Sequence, residues 1–350
     1  MAEPIKIQGQ SGARIAYLDK LRVISLIAVV ILHTVAPGWE TANIYSYQWK
    51  AVNVVNSCVR WCVPVFVMIS GSLFLGKEIS IKKLYSKYIL RMLMAFIGWS
   101  AIYTLFTSGD RIKAFFTGYY HMWYILMTIG LYMCVPVVRV ITQNEKITKY
   151  YLLLAFVFVF LLPEVKILLV DFASDSFNTV VDLLANSIDR LGMQFLFGYV
   201  SYFMLGYMLS QAELKRQTRS IIYALGVAGF AYTIGMSFFV AYRYQTYCNQ
   251  FFGNFTVNVL VQAIAIYVWM KYRNEDARET KALASLAKWS FGAYILHAPI
   301  IEQLNKRIGL NVLSFNPILS SIVIAVIVLV VSYLFSAILN QIPVIKRYLV

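Results

Sequence analysis

The chain has 350 residues, 60% of them hydrophobic and 13% charged, with a mean hydropathy of +0.67. Those values exclude an ordinary soluble domain and place it among integral membrane proteins. A net charge of +15 would point to nucleic acid in a soluble protein, but in a membrane chain basic residues first report topology.

Residues 1–18 are polar and read as a short cytoplasmic tail. The apolar run from Val23 to Ala36 is a retained first helix and not a cleaved leader, because His33 interrupts it and Pro37 would follow the cut. Further apolar segments lie near 53–75, 88–107, 121–142, 150–170, 191–210, 220–240, 254–270, 289–306 and 315–340. Each is long enough, some only just, to cross roughly 30 Å of hydrocarbon. The expectation is an all-α, polytopic transmembrane helix bundle of about ten helices over residues 19–342, with a cytoplasmic tail at 343–350. The connections 38–52, 108–120, 171–190 and 241–253 read as short caps. Most of the 31 Lys and Arg residues fall in alternate connections, so the positive-inside rule puts both termini in the cytoplasm.

Four scattered cysteines, Cys58, Cys62, Cys134 and Cys248, make neither a disulfide framework nor a metal pair with nearby histidines. No metal site is expected. No fixed-period repeat is evident, and the halves do not match as inverted repeats would.

Ionisable groups inside a membrane are expensive, which makes the few present functional candidates. Arg22 and His33 are eleven residues apart, about three helical turns and roughly 16 Å along one face. In the second helix Asn53, Asn56 and Arg60 form one stripe that must face protein or water. Pro64 has no N–H for the Arg60 carbonyl, which predicts a kink there. Ser70-Gly71 ends that segment with a small-residue break that lets another helix or a ligand approach closely. The other histidines are His121, in His121-Met122-Trp123-Tyr124, and His297, followed by Pro299 and Glu302. Each has a bland reading beside the chemical one. Arg22 is also what topology demands and has Asp19 to pair with; His33 also suits a satisfied bundle histidine; Arg60 also serves as a cap on a broken helix; His121, Trp123 and Tyr124 also suit the outer interface; Ser70 also suits packing, and His297 a hydrogen bond to a neighbouring helix.

Together these residues carry a resemblance. Arg22 with His33, Arg60 through Gly71 with Pro64, His121-Met122-Trp123-Tyr124 with Tyr132 and Pro136, Leu205-Gly206-Tyr207, and Ser290-Phe291-Gly292-Ala293-Tyr294 with His297 stand in order along nearly the whole chain. The chain resembles the acyltransferase-3 family of membrane acyltransferases, and within it the smaller stand-alone members. Phe66-Val67 replaces the usual aromatic pair before Ser-Gly.

The resemblance implies O-acyl transfer, usually of acetyl, from cytosolic acetyl-CoA or another acyl-CoA to a hydroxyl of a cell-surface or lipid-linked glycan. It further implies a multi-pass protein of the bacterial cytoplasmic (inner) membrane, with membrane lipids as neighbours, no nucleic acid and no tightly bound cofactor. The family's functional pair falls on Arg22 and His33. Chemistry agrees, because a histidine with an ordinary pKa near 6.5 suits removal of a hydroxyl proton and a guanidinium suits phosphate. His33 is alternatively a nucleophile that carries the acyl group. Arg22, Arg60 and Ser70 are expected at the donor, and His121, Trp123, Tyr124 and His297 at the acceptor. Two other readings stay open: a transporter of a sugar or lipid-linked glycan, and transfer to an amine, lipid or peptidoglycan component.

Overall fold

The structure, a computed structural model, describes residues 15–106, 109–172, 175–274 and 280–350. Lys6 and Arg14 of the expected tail and Arg278 of an expected inner loop lie outside the described residues. Among the described residues there is no strand. In chain order the helices are α1 (Ala16–Thr41), α2 (Tyr47–Ser57), α3 (Cys62–Phe74), α4 (Ile81–Lys83), α5 (Leu90–Thr104), α6 (Arg111–Thr117), α7 (Trp123–Thr142) and α8 (Glu145–Ala155). They continue as α9 (Leu162–Phe172), α10 (Asp175–Asp189), α11 (Met193–Gln211), α12 (Arg216–Tyr244), α13 (Val257–Arg273), α14 (Lys281–Gln303), α15 (Pro317–Leu339) and α16 (Pro343–Tyr348). Three π-helical turns, Leu84–Ile89, Phe156–Leu161 and Leu304–Ile308, adjoin α5, α9 and α14.

Seven helical stretches among the described residues are long and apolar enough to cross a membrane: 16–41, 47–74, 123–142, 145–170, 216–244, 250–273 and 317–339. Three further expected spans are helices that fall short of that standard. The stretch 84–104, π-helical turn and α5 together, carries Lys87 and Arg91, α11 is interrupted at Gly198, and α14 carries Lys288 and His297 among its apolar residues. The fold class is therefore as expected, and seven of the roughly ten expected spans meet this standard among the described residues.

α1 is the axis of the bundle, packing against α2, α3, α13, α14 and α15. Leu18, Leu21, Leu26, Val29 and Val30 are buried along it, which is how an all-round apolar helix is used. It runs past the expected end at Ala36, through Pro37, to Thr41. The 171–190 connection, expected as a short cap, instead includes helix α10.

The second span breaks earlier than its proline predicts. The chain leaves the helix between α2 and α3, at residues 58–61, and resumes with Pro64 in the first turn of α3. That first turn has no intrahelical use for the missing N–H, so Pro64 starts a helix here instead of bending one. The Asn53 stripe faces protein as expected: Asn53 Oδ1 accepts from Trp39 Nε1 at 2.8 Å and its Nδ2 donates to Ser237 Oγ at 2.8 Å.

Two glycines from separate motifs meet across the α3–α11 crossing. A Cβ on Gly71 would lie 1.8 Å from the Phe203 carbonyl oxygen, and one on Gly206 would lie 2.1 Å from that of Met68. Ser72 Oγ, beside them, donates to the Gly206 carbonyl at 2.9 Å. Backbone-to-backbone contact of this kind is what small residues allow in membrane helices.

The segment expected as a free tail forms α16, which packs on α5. Trp99 Nε1 donates to the Leu349 carbonyl at 3.0 Å, and Val350 is 1% exposed.

Candidate active site

Three cavities follow α1 from its start to its end, and neighbouring cavities share walls. The first, of about 420 Å³, is lined by Arg22, Ser70, Arg91, Tyr132, Lys288 and Lys346. Its walls hold four cations and no carboxylate. The middle one, of about 220 Å³, is lined by His33, Arg60, Phe66, His121, Trp123 and Tyr124. It shares Phe66, Tyr124 and Tyr294 with the first. The third, of about 820 Å³, is lined by Glu40, Tyr120, Asn249, Glu302, Asn305 and Asn311, and shares Leu32, His33 and Arg60 with the middle one. Arg60 is the one cation in its lining.

α1 thus displays Arg22 at the cationic end and His33 where the middle and outer cavities join. Arg22 Nη1 pairs with Asp19 Oδ1 at 3.4 Å, the bland role foreseen for it, yet its side chain remains in the cavity wall. Ser70, donating to the Phe66 carbonyl at 3.1 Å, sits in the same cavity as Arg22. Arg60 does not join them. Its guanidinium stacks on the Phe252 ring at 4.1 Å from the centroid, and its Nη2 donates to Asn56 Oδ1. Its Nε is buried with no protein partner. A buried, unpartnered donor beside His33 is free to meet an oxygen that becomes negative there.

The three histidines come together from α1, α14 and the turn before α7. The His33 ring lies 5.2 Å from His297 and 5.1 Å from Tyr120, and His121 lies 4.9 Å from His297. His297 is fully buried behind His33, whereas His121 faces the middle cavity. Trp123 and Tyr124 also line that cavity, on the path between its two neighbours.

The prolines explain why these rings are held. Pro299 has no N–H to give the Ile295 carbonyl four residues earlier, so that oxygen is free for other donors. Tyr103 OH takes it at 2.8 Å and His121 Nε2 at 3.1 Å. His297 Nδ1 bonds the Tyr294 carbonyl, and Tyr294 OH bonds the His121 carbonyl. A carbonyl oxygen only accepts, so His297 carries its proton on Nδ1 and His121 on Nε2. The opposite nitrogens, His297 Nε2 and His121 Nδ1, are bare, buried and without a protein partner. Pro37 likewise withholds its N–H from the His33 carbonyl.

Sequence reasoning singled out His33, Arg22, Arg60, Ser70, His121, Trp123, Tyr124 and His297. All but His297 line one of the three cavities. It did not select Tyr120, Arg91, Lys288, Lys346, Glu40 or Asn249, because each is an ordinary interfacial or loop residue until helices distant in sequence converge on it. The spacing of Pro37 and Pro299, four residues after His33 and Ile295, was the one local signal available. Among the described residues, no group of three His, Cys, Asp or Glu side chains is arranged to hold a metal.

A cationic cavity, a small histidine-lined junction and a larger vestibule that mixes apolar walls with Glu40, Glu302 and three asparagines lie in series along α1. No curated protein and no solved structure is matched by the chain. The family model described as an acyltransferase domain matches residues 15–337, nearly the full length. The chain therefore belongs to the acyltransferase-3 family, as a multi-pass membrane acyltransferase.

Proposed function

We propose that the protein is an O-acetyltransferase of the bacterial inner membrane that takes acetyl from cytosolic acetyl-CoA and delivers it to a hydroxyl of a cell-surface or lipid-linked glycan. The observation that carries this reading is the change in wall chemistry along α1. The end that the basic loops assign to the cytoplasm has a cavity of cations suited to a phosphorylated donor. The other end has carboxylates, amides and aromatic rings suited to a sugar. His33 faces the junction between them.

In this scheme the thioester enters past Arg22 and Ser70 and its carbonyl reaches the middle cavity. The acceptor hydroxyl enters from the vestibule beside Glu40, Asn249 and Glu302. His33 takes the hydroxyl proton as the oxygen attacks the thioester carbonyl. Arg60 Nε–H stabilises the oxyanion, and the thiolate leaves and regains the proton from His33. His33 as a transient acyl carrier would use the same cavities in two steps, with acyl-imidazole between them.

The test supplies acetyl-CoA labelled in the acetyl group to purified protein in membrane vesicles and follows label into surface glycan. Mass spectrometry of glycans from cells with and without the protein supplies the acceptor, read as an acetyl-sized difference. Glycan flux through vesicles that ignored the acyl donor would overturn the transferase reading in favour of a transporter.

A further inference from the structure

Next to the donor cavity a second cleft, of about 770 Å³, opens between α16 and the π-helical turn that precedes α5. Lys87, Arg91, Lys346 and Arg347 line it with Ser86 and Asn340, and no carboxylate does. It shares Arg91, Asn340 and Lys346 with the donor cavity, so the two form one path toward Arg22. Among the described residues no Asp or Glu side chain pairs with any of the four, and Arg91 is bonded to the Val350 backbone oxygen.

Orientation in the membrane requires basic residues near the inner surface but not their convergence on one cleft, where like charges repel. Here the fold holds them together. Arg91 Nη2 donates to the Val350 carbonyl at 2.5 Å and Trp99 Nε1 donates to that of Leu349 at 3.0 Å. These bonds clamp α16 onto α5, so that Lys346 and Arg347 on α16 face Lys87 and Arg91. Gly98 admits the clamp, since a Cβ there would lie 2.6 Å from Leu349 Cδ2.

Resting on the acyl-CoA reading above, we infer that this cleft seats the phosphorylated nucleotide end of the donor, its 3′-phosphate and diphosphate. The pantetheine arm then passes Arg91 into the cavity of Arg22 and Ser70. Four guanidinium and ammonium groups lining one cleft suit several phosphate oxygens at once, which one arginine at the end of α1 does not. The headgroup of an anionic phospholipid offers phosphate too, but no 3′-phosphate monoester on a soluble nucleotide.

The experiment measures binding to the full chain in phosphatidylcholine nanodiscs by calorimetry, with CoA, 3′-dephospho-CoA and adenosine 3′,5′-bisphosphate as probes. CoA is expected to bind at least tenfold more tightly than 3′-dephospho-CoA, and the bisphosphate to compete with it. K87E/R347E should weaken CoA binding at least tenfold and K87R/R347K should not, with both unfolding at the midpoint of the unaltered chain. Equal CoA affinity in the charge-reversed and unaltered proteins overturns the inference. So does a charge reversal that leaves CoA affinity unchanged in these nanodiscs and alters only the binding of phosphatidylglycerol added in a second set of nanodiscs, which marks a lipid headgroup site. Failure of the parent reading looks different: CoA held in the cleft with no acyl group transferred refutes the transferase and leaves the cleft standing.

Discussion

The imidazole of His33 lies 5.2 Å from that of His297, whose Nδ1 is tied to the Tyr294 carbonyl and whose Nε2 has no protein partner. One ring lines two cavities and the other is buried behind it. Removing the first should therefore affect chemistry directly, and removing the second should act through the first.

His33→Ala is expected to lower acetyl transfer by about 10²- to 10⁴-fold, the range that a general base supplies. Thioester cleavage and glycan acetylation, measured separately, check it. Label held on the unaltered protein in the absence of acceptor marks the acyl-carrier scheme, and its absence marks the base scheme. Full transfer by His33→Ala would remove that residue from the mechanism.

His297→Asn should lower kcat by about tenfold or more while leaving KM for donor and acceptor within about twofold, because His297 is buried and lines none of the three cavities. Steady-state kinetics decide this. A raised acceptor KM with unchanged kcat would instead return His297 to the substrate contacts proposed from the sequence.

Pro299→Ala restores an N–H four residues after Ile295, and that group competes with Tyr103 OH and His121 Nε2 for one carbonyl. The variant should fold, since alanine favours a helix, yet lose activity as His121 is released. Thermal unfolding at or above the unaltered midpoint together with reduced kcat is the expected pair of results.

Gly71→Ala and Gly206→Ala should each destabilise the protein by about 1–3 kcal/mol or more, because the new methyl group meets backbone and not a movable side chain. Thermal denaturation in detergent measures the loss. Unchanged stability in both would show that α3 and α11 do not touch as described.

Arg22→Lys keeps the charge and the Asp19 partner but removes the planar fork. KM for acetyl-CoA should rise, with acceptor KM unaffected. Donor titrations at fixed acceptor test it, and a change confined to acceptor KM would place Arg22 at the wrong end of the path.

The class of fold was legible in the sequence because hydropathy and basic residues act locally: each apolar run must span and each polar stripe must face protein, whatever its neighbours do. For the same reason His33, Arg60 and His121 were recognisable as polar residues in apolar surroundings. The number of long apolar helices was less legible, since breaks at residues 58–61 and Gly198 and the π-helical turns depend on packing. Arg91, Lys288, Lys346, Glu40 and Asn249 were invisible as site residues for a further reason. A cavity wall is assembled from helices far apart in the chain, and only their packing decides which cations converge and which merely mark a membrane surface. What the sequence alone determined was an all-helical membrane protein with a charged and a titratable group along its first helix. The tertiary structure decided what lies beside each: at Arg22 the further cations Arg91, Lys288 and Lys346, and at His33 two further imidazoles held by backbone carbonyls, one of them freed by Pro299.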